Sequence, residues 1–180
     1  MFYIPMDKFS ADHTQDRLVG RAFEIREITK LAEKTKWMSE FKRNYNGKVV
    51  PFDSKIYGIG CRYFVAVLDG KEVGFIRISD YTSFWSNCYD GIIWNASDAY
   101  VKTQYRNRHV LRRLLKHVID HCHVKSAFIE IERFIANYSY YRTLGFTNYL
   151  YGRDDWLVHI VQKDLFESVK SQALAQVDSR

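Results

Sequence analysis

The feature that most constrains the fold is a β-hairpin near the middle of the chain. Residues 62–68 read RYFVAVL and residues 72–79 read EVGFIRIS, and both runs are rich in β-branched and aromatic residues. Asp69-Gly70 separates the two runs, and an Asp-Gly pair favours the tight turn in which both central residues have positive φ. We therefore predict an antiparallel hairpin, around which the other elements must be arranged.

The rest of the chain alternates between strand-like and helix-like segments. Apolar residues that recur at helical intervals, or that alternate with polar ones, decide each assignment. In chain order, the other predicted elements are a strand at 2–4, one long or two short helices at about 16–43, a strand at 91–101, a helix from 110, a strand at 125–132, a short helix at 137–145, strands at 149–151 and 156–161, and a helix at 164–175. This order predicts an α/β fold of the mixed α+β kind, with helices on both faces of one sheet.

Composition indicates one domain and narrows the choice of partners. No repeat, linker or low-complexity segment interrupts the 180 residues, so we expect a single domain over 1–180. The formal net charge of +6 favours an anionic partner, such as a phosphorylated cofactor, nucleic acid or an acidic protein. The chain shows no signal-peptide pattern or membrane-spanning apolar run, and its three cysteines are widely spaced. We therefore expect a cytoplasmic protein with no membrane partner.

A basic segment joins the strand at 91–101 to the helix that follows. Residues 104–111 read QYRNRHVL. Junctions of this kind often bind phosphates, because the first amides of a helix and its dipole attract anions. Phosphate loops usually contain glycine, and this segment has none. Its residues alone leave two interpretations, a phosphate site without glycine or a basic first helical turn that binds nothing.

Several motifs, in order and spacing, resemble the GNAT superfamily of N-acetyltransferases. They are the hairpin, a strand ending Asp98-Ala-Tyr-Val101, then Tyr105-Arg106, Leu114-Leu115 and Tyr141-Arg-Thr-Leu-Gly-Phe146. The resemblance implies an acyl-CoA N-acyltransferase-like fold with a central, mostly antiparallel sheet. It places a cofactor-binding core at about 62–150, between an N-terminal helical region at about 16–43 and C-terminal strands and a helix at about 149–178.

The resemblance also implies acetyl-CoA as co-substrate. In this superfamily the basic loop and the helix start hold the coenzyme A pyrophosphate, a role that falls here on Arg106, Asn107, Arg108, His109, Val110 and Leu111. Counting back from Leu114-Leu115 puts the family's two small loop residues at His109 and Leu111. An alternative register puts them at Asn107 and His109; we prefer the first. In the same superfamily a splay after the preceding strand frees backbone groups for the pantetheine arm, and by position these belong to Ala99 and Val101.

Candidate catalytic groups follow from the same resemblance. Tyr141 aligns with the tyrosine that protonates the departing thiolate in many relatives, and its phenol can act as an acid when held within hydrogen-bond reach. A general base must take a proton from the amine, and Asp98 is the best-placed carboxylate, with Glu130 and Glu132 as alternatives. The faces of these strands cannot be assigned from sequence, because a slip of one residue reverses them.

Two other groupings carry weaker signals. His117 and His121 lie four residues apart on the predicted helix, but they match no zinc-binding pattern, so we expect a structural role and no metal. Aromatic and basic residues interleave in two segments, one around Trp37 and Phe41 and one at 81–89. Such residues can stack on nucleic acid or can simply pack in the core.

Three functions therefore remain open. The first is an acyl-CoA-dependent N-acyltransferase that transfers an acetyl group to a primary amine by direct attack. The second is a degenerate binding or structural protein of the same fold without acetyl-CoA turnover, and the third is an enzyme of this fold that modifies nucleic acid. The expected partner is an amine-bearing acceptor of unknown class, and a homodimer is compatible with the resemblance.

Overall fold

The computed structural model describes most of the sheet and two helices. The described residues are Leu18, 20–44, 61–80, 94–122, 128–132, 141–142, 144–148, 156–160, Asp164, Glu167 and Ser171. Their elements are β1 (Phe23–Ile28), α1 (Leu31–Asn44), β2 (Cys61–Leu68), β3 (Lys71–Asp80), β4 (Trp94–Val101), a 3-10 turn (Thr103–Tyr105), α2 (Val110–Cys122), β5 (Phe128–Glu132), β6 (Thr147–Asn148) and β7 (Trp156–Ile160). These strands form one sheet in the order β1-β2-β3-β4-β5-β7-β6.

The sheet is mostly antiparallel, and helices cover both of its faces. Every neighbouring pair of strands runs antiparallel except β4 and β5, which are parallel. Alternate residues of β2 point to opposite faces, so that Phe64 belongs to the core under α2 and Tyr63 to the core under α1. The predicted fold class is therefore confirmed.

The predicted hairpin is present, and its two strands are inner strands of the sheet. β2 and β3 pair antiparallel, with Leu68 opposite Lys71 across the turn. Asp69 and Gly70 have φ values of 49° and 73°, the left-handed pair that this type of turn requires. The Asp69 amide donates to the Ala22 carbonyl at 2.7 Å, which ties the turn to the residue before β1.

The helical prediction for residues 16–43 is wrong in its first half. Phe23–Ile28 forms the edge strand β1, and helix α1 begins only at Leu31. β1 satisfies the outer backbone groups of β2, and the Arg62–Glu27 ion pair at 2.6 Å joins the two strands. The partner strand lies about forty residues away in sequence, so local helical periodicity could not register it, and pairing outweighed propensity.

Each face of the sheet carries its own apolar core. On one face α2 contributes buried Val110, Leu114, Leu115, Val118 and Ile119. On the other face Trp37 and Phe41 of α1 cover Phe75, with ring centroids 5.3 and 6.0 Å apart respectively. Each fully buried side chain of this kind stabilises the fold by about 1.5–3 kcal/mol. The two helices are therefore held mainly by burial.

The glycine predicted to end the short helix before β6 does so. The Phe146 amide donates to the Tyr141 carbonyl and the Gly145 amide to the Arg142 carbonyl, both at 3.1 Å, and Gly145 has a φ of 90°. These two bonds define a Schellman motif, which fixes where the chain leaves the helix.

The other predicted elements agree with the structure where they are described. Of the predicted C-terminal helix, Asp164, Glu167 and Ser171 are helical. The predicted strands at 2–4 and 149–151 lie outside the described residues. Among the helices that the structure describes, none is long and apolar enough to cross a membrane.

We expect Gly74→Ala to destabilise the protein. Gly74 lies opposite Val101, and a Cβ at this position would stand 2.8 Å from the Tyr100 carbonyl oxygen. Because backbone cannot yield as a side chain can, β3 and β4 would have to separate, at a cost of about 1–3 kcal/mol in unfolding free energy. Urea denaturation followed by circular dichroism measures this loss.

The matched control is Gly70→Asn in the hairpin turn. An added Cβ at Gly70 meets nothing within 4 Å. Asparagine tolerates the left-handed conformation, so we expect a loss of about 1 kcal/mol or less. Equal losses in the two variants would contradict the steric argument for Gly74.

Candidate active site

β4 and β5 separate shortly after they begin to pair. Their parallel pairing consists of Trp94 with Ile129 and Asn95 with Glu130. Among the described residues, no part of β5 pairs with β4 beyond Asn95, although β4 continues to Val101. We call the opening beside residues 96–101 of β4 the splay.

The backbone groups of Ala99 and Val101 face this splay. The Lys102 amide donates to the Val73 carbonyl of β3 at 2.9 Å, so Lys102 directs its backbone groups towards β3. Backbone groups alternate along a strand, which turns those of Val101 and Ala99 to the opposite edge. The Val101 carbonyl indeed accepts a hydrogen bond from Arg106 Nε at 3.0 Å on that side. The sequence named these two residues, and the structure places their backbone at the open edge.

The basic loop, residues 102–109, contains two left-handed residues. Asn107 and His109 have φ values of 57° and 59°. Asparagine and histidine adopt this conformation more readily than most residues other than glycine. Leu111 lies in the first turn of α2, where φ is negative. The backbone therefore fits the alternative register, with the family's small residues at Asn107 and His109, and differs from the register that we preferred.

The start of α2 presents amide groups next to this loop. The His109 carbonyl accepts the first helical hydrogen bond from the Arg113 amide at 3.0 Å. The amides of Val110 and Leu111 precede that bond and have no partner within the helix. Their side chains pack in or against the core under α2, so only their backbone can meet a ligand at the loop. No acidic residue lies in the first turn to neutralise the helix end.

Two arginines of the basic loop rest on aromatic rings. The Arg106 guanidinium lies 5.8 Å from the centroid of Tyr100, and that of Arg108 lies 5.9 Å from Tyr105. Within the described part of the chain, neither arginine forms an ion pair with a carboxylate. Cation–π contacts therefore orient both guanidinium groups, and such contacts can be exchanged for a phosphate at a small cost in free energy.

Tyr141 lies against the core on the α2 side of the sheet. Its ring meets Phe146 edge-on at 5.8 Å, and it is half-buried. The Schellman motif described above fixes this ring, because Tyr141 supplies the carbonyl that closes the motif. Ala99 and Val101 pack against the same core, so Tyr141 and the predicted pantetheine-binding residues share one side of β4.

Asp98 lies on the opposite face, towards α1. Its Oδ2 forms an ion pair with Arg77 Nη2 at 2.5 Å, and the two side chains are 9% and 1% exposed respectively. Burial raises the pKa of the Asp98 carboxyl, while the Arg77 charge opposes that rise. The structure therefore puts the candidate acid and the candidate base on different sides of β4. For the alternative bases Glu130 and Glu132, only the backbone is described.

The histidine pair of α2 packs on the sheet. His117 and His121 lie 4.9 Å apart, and each ring contacts Phe64, at 5.1 and 5.3 Å. Burial, followed by the neighbouring His121, lowers the pKa of His117. Among the described residues no group of three His, Cys, Asp or Glu side chains could hold a metal ion.

The aromatic residues of α1 are not available to stack on bases. Trp37 and Phe41 are buried at 0% and 6% exposure, so the nucleic-acid interpretation of this segment is wrong for these two rings. The second aromatic segment, at 81–89, lies outside the described residues.

Sequence reasoning missed Arg77 as a part of this site. The signal was present, because Arg77 is the lone charge in the otherwise apolar run 73–78 of β3, and such a strand residue is buried only with a partner. What sequence could not supply is the identity of the partner, which depends on the register between β3 and β4.

We compared the chain with protein families and with solved structures. Residues 60–148 match the acetyltransferase (GNAT) domain family. Curated protein sequences give no significant match.

Solved structures share the fold at low sequence identity. The N-acyl amino acid synthase FeeM from uncultured soil microbes is 14% identical, with a TM-score of 0.59 over 87% of this chain and 98% of that one. A GNAT-family acetyltransferase from Staphylococcus aureus Mu50 is 18% identical, with a TM-score of 0.58 over 78% of this chain and 100% of that one. A mutant AtaT toxin, bound to the C-terminus of the antitoxin AtaR and to acetyl-CoA, is 12% identical, with a TM-score of 0.51 over 86% and 97%.

At such identities the structural likeness shows the fold alone. The sheet order, the early separation of β4 from β5 and the match over residues 60–148 agree with one another. Together they show that residues 60–148, about half of this chain, are a domain of the GNAT superfamily of acetyltransferases.

Proposed function

We propose that the protein transfers an acetyl group from acetyl-CoA to a primary amine. The observation that carries this proposal is the splay, in which the backbone groups of Ala99 and Val101 face an edge with no partner on β5 among the described residues. Buried backbone groups need hydrogen-bond partners, and an extended amide-bearing arm such as pantetheine supplies them as a strand would.

The described residues fit coenzyme A at the basic loop as well. Two left-handed residues, Asn107 and His109, turn the chain into α2, whose first amides and dipole favour an anion. Arg106 and Arg108 add two cations without carboxylate partners in the described region. These groups would hold the pyrophosphate, and the bound co-substrate would supply the activated acetyl thioester.

Binding requires one local change in the loop. Arg106 Nε donates to the Val101 carbonyl, one of the groups that pantetheine would use. An exposed arginine with a single backbone bond and a ring contact can turn to a phosphate, because a charged hydrogen bond to an anion is the stronger one. Arg106 would then leave the carbonyl as the co-substrate enters.

The chain's own residues would move two protons. Asp98, directly or through a water, would accept the proton that the amine loses as its nitrogen bonds to the acetyl carbon. Tyr141 would give a proton to the sulfur as the carbon–sulfur bond breaks. Their positions on opposite sides of β4 allow the amine to approach from one side while the thiol leaves on the other.

The acceptor is not chosen by the fold. The neighbours named above include an N-acyl amino acid synthase and a toxin held by an antitoxin, so one scaffold serves different partners. A protein of this fold without turnover is the second candidate, favoured by the left-handed side chains at the two loop positions where relatives carry small residues.

Calorimetry with acetyl-CoA and desulfo-CoA separates the two candidates. We expect both compounds to bind, and Arg106→Glu to weaken binding about tenfold or more because a charged phosphate contact becomes repulsive. Arg43→Glu is the matched control, since Arg43 lies exposed on α1 and its change alters the net charge equally. Absence of binding at millimolar coenzyme would rule out the acetyltransferase proposal.

Tyr141→Phe should slow turnover without weakening acetyl-CoA binding. The ring and its contact with Phe146 are kept while the acidic proton is removed. We expect kcat to fall about 10²-fold or more, as for the loss of a general acid. Initial rates over a series of amines, with calorimetry as the control, measure this. Unchanged kcat would show that another group protonates the thiolate.

His109→Gly should stabilise the loop relative to His109→Ala. Both variants remove the imidazole, but only glycine relieves the left-handed strain at a φ of 59°. We expect His109→Gly to have the higher unfolding free energy of the two, by about 1 kcal/mol. Equal stabilities would contradict the conformation assigned to this residue. If the loop binds phosphate, His109→Gly should also bind acetyl-CoA more tightly.

A further inference from the structure

A row of polar side chains crosses the centre of the sheet beneath α1. Tyr63 of β2 lies opposite Arg77 of β3, and Arg77 lies opposite Asp98 of β4. Tyr63 belongs to the core under α1, as does Phe75, which shares a face with Arg77 two residues along β3. The row therefore runs from β2 to the strand that borders the splay, within an otherwise apolar layer.

A β-bulge turns Asp98 towards this row. The β3–β4 register shifts between Arg77 and Ile78, so that Ala96 and Asp98 oppose neighbouring residues and Ser97 is extra. Ala96 and Ala99 both pack on the α2 side, although an unbroken strand would put them on opposite faces. If β4 continued the alternation of residues 94–96 without the bulge, Asp98 would share the α2 face with Ala96 and could not reach Arg77.

Arg77 and Asp98 depend on each other for burial. Their Nη2 and Oδ2 atoms are 2.5 Å apart, with Arg77 1% exposed. A buried carboxylate that loses its cation tends to take up a proton, since burial penalises its charged form. In the described region the Tyr63 phenol and the buried Cys61 thiol, two residues along β2, lie on the same face as the pair, and Lys34 Nζ of α1 lies 5.4 Å from the centroid of the Tyr63 ring.

The pair stands where the splay opens. Asn95 is the last β4 residue paired with β5, and Asp98 follows three residues later. Arg77 holds Oδ2 of the carboxylate, which leaves Oδ1 as the oxygen that can accept a proton from an incoming amine or water.

We propose that Arg77 is a positioning residue for Asp98. It keeps the Asp98 carboxylate ionised and holds its other oxygen, Oδ1, at the point where the splay opens. This inference rests on the proposed function, in which Asp98 is the general base. Arg77 acts through Asp98 and does not touch the substrates. A purely structural ion pair would affect stability but leave the pH dependence of the reaction unchanged.

The test compares Arg77→Gln with the wild-type protein in two measurements. The first is a carbon-13 NMR titration of the side-chain carboxyls without substrates, with Asp98 assigned by its loss in Asp98→Asn. We expect the pKa of Asp98 to be higher in Arg77→Gln, because burial then acts without the opposing cation.

The second measurement is the pH profile of turnover. The acid limb of kcat/KM should move to higher pH in Arg77→Gln. We expect a loss of about tenfold at pH 6 that recovers towards high pH, with the calorimetric affinity for acetyl-CoA unchanged. Arg62→Gln is the matched control, because Arg62 also forms a cross-strand ion pair, with Glu27, at the outer part of the sheet. It should shift neither measurement.

Each outcome decides the matter. If the pKa of Asp98 is unchanged in folded Arg77→Gln, the inference is overturned but the proposed function is not. The same holds if that pKa rises while the acid limb of kcat/KM stays where it is in the wild-type protein. Absence of turnover in a wild-type protein that titrates normally overturns the proposed function, and this inference with it. If Arg77→Gln does not fold, a second variant replaces it. This variant, Arg77→Met, also removes the charge but keeps much of the side-chain volume, and an unchanged profile in whichever charge-removing variant folds overturns the inference.

Discussion

Among the described residues two pairs, Trp94 with Ile129 and Asn95 with Glu130, join β4 to β5, and the candidate site depends on how soon this pairing stops. If β4 and β5 stayed paired, the backbone groups of β5 would form hydrogen bonds with the groups of β4 that face away from β3. Because they separate, the groups of Ala99 and Val101 need another partner. One of them, the Val101 carbonyl, is met by Arg106 in the structure. The need for a partner at this edge is the physical basis of cofactor binding in the proposal.

The helices on the two faces of the sheet stabilise the part of it in which β4 separates from β5. β3 is an inner strand that pairs along β2 and β4, while α2 and α1 cover the two faces of the sheet. Surface ion pairs such as Lys36 with Glu72 at 2.8 Å add little, since exposed pairs contribute about 0–1 kcal/mol. Buried rings fix α1, and α1 in turn seals Arg77 from water. The burial that raises the pKa of Asp98 is therefore part of the same packing that holds the fold.

Much of the fold could be predicted because its signals are local. Asp69-Gly70 favours a left-handed turn through its own residues, and the helix before β6 ends through bonds from the Gly145 amide to Arg142 and from the Phe146 amide to Tyr141. The apolar stripe of α2 likewise needs only its own periodicity. β1 was mistaken for helix because its partner is distant in sequence. The loop backbone fits the alternative register better than the preferred one, because counting from Leu114-Leu115 ignores which residues accept positive φ.

The sequence by itself determined the hairpin and the helix that follows the basic loop, and it indicated the family, because turn chemistry, periodicity and motif spacing are properties of neighbouring residues. The same motif spacing named Tyr141 as the candidate acid. Only the tertiary structure decided which face Asp98 takes and that Arg77 is its partner. A single bulge at Ser97 sets both, and a shift of one residue in register between strands reverses every side chain beyond it. The chemistry proposed at the splay rests on that register, which no local pattern in the chain encodes.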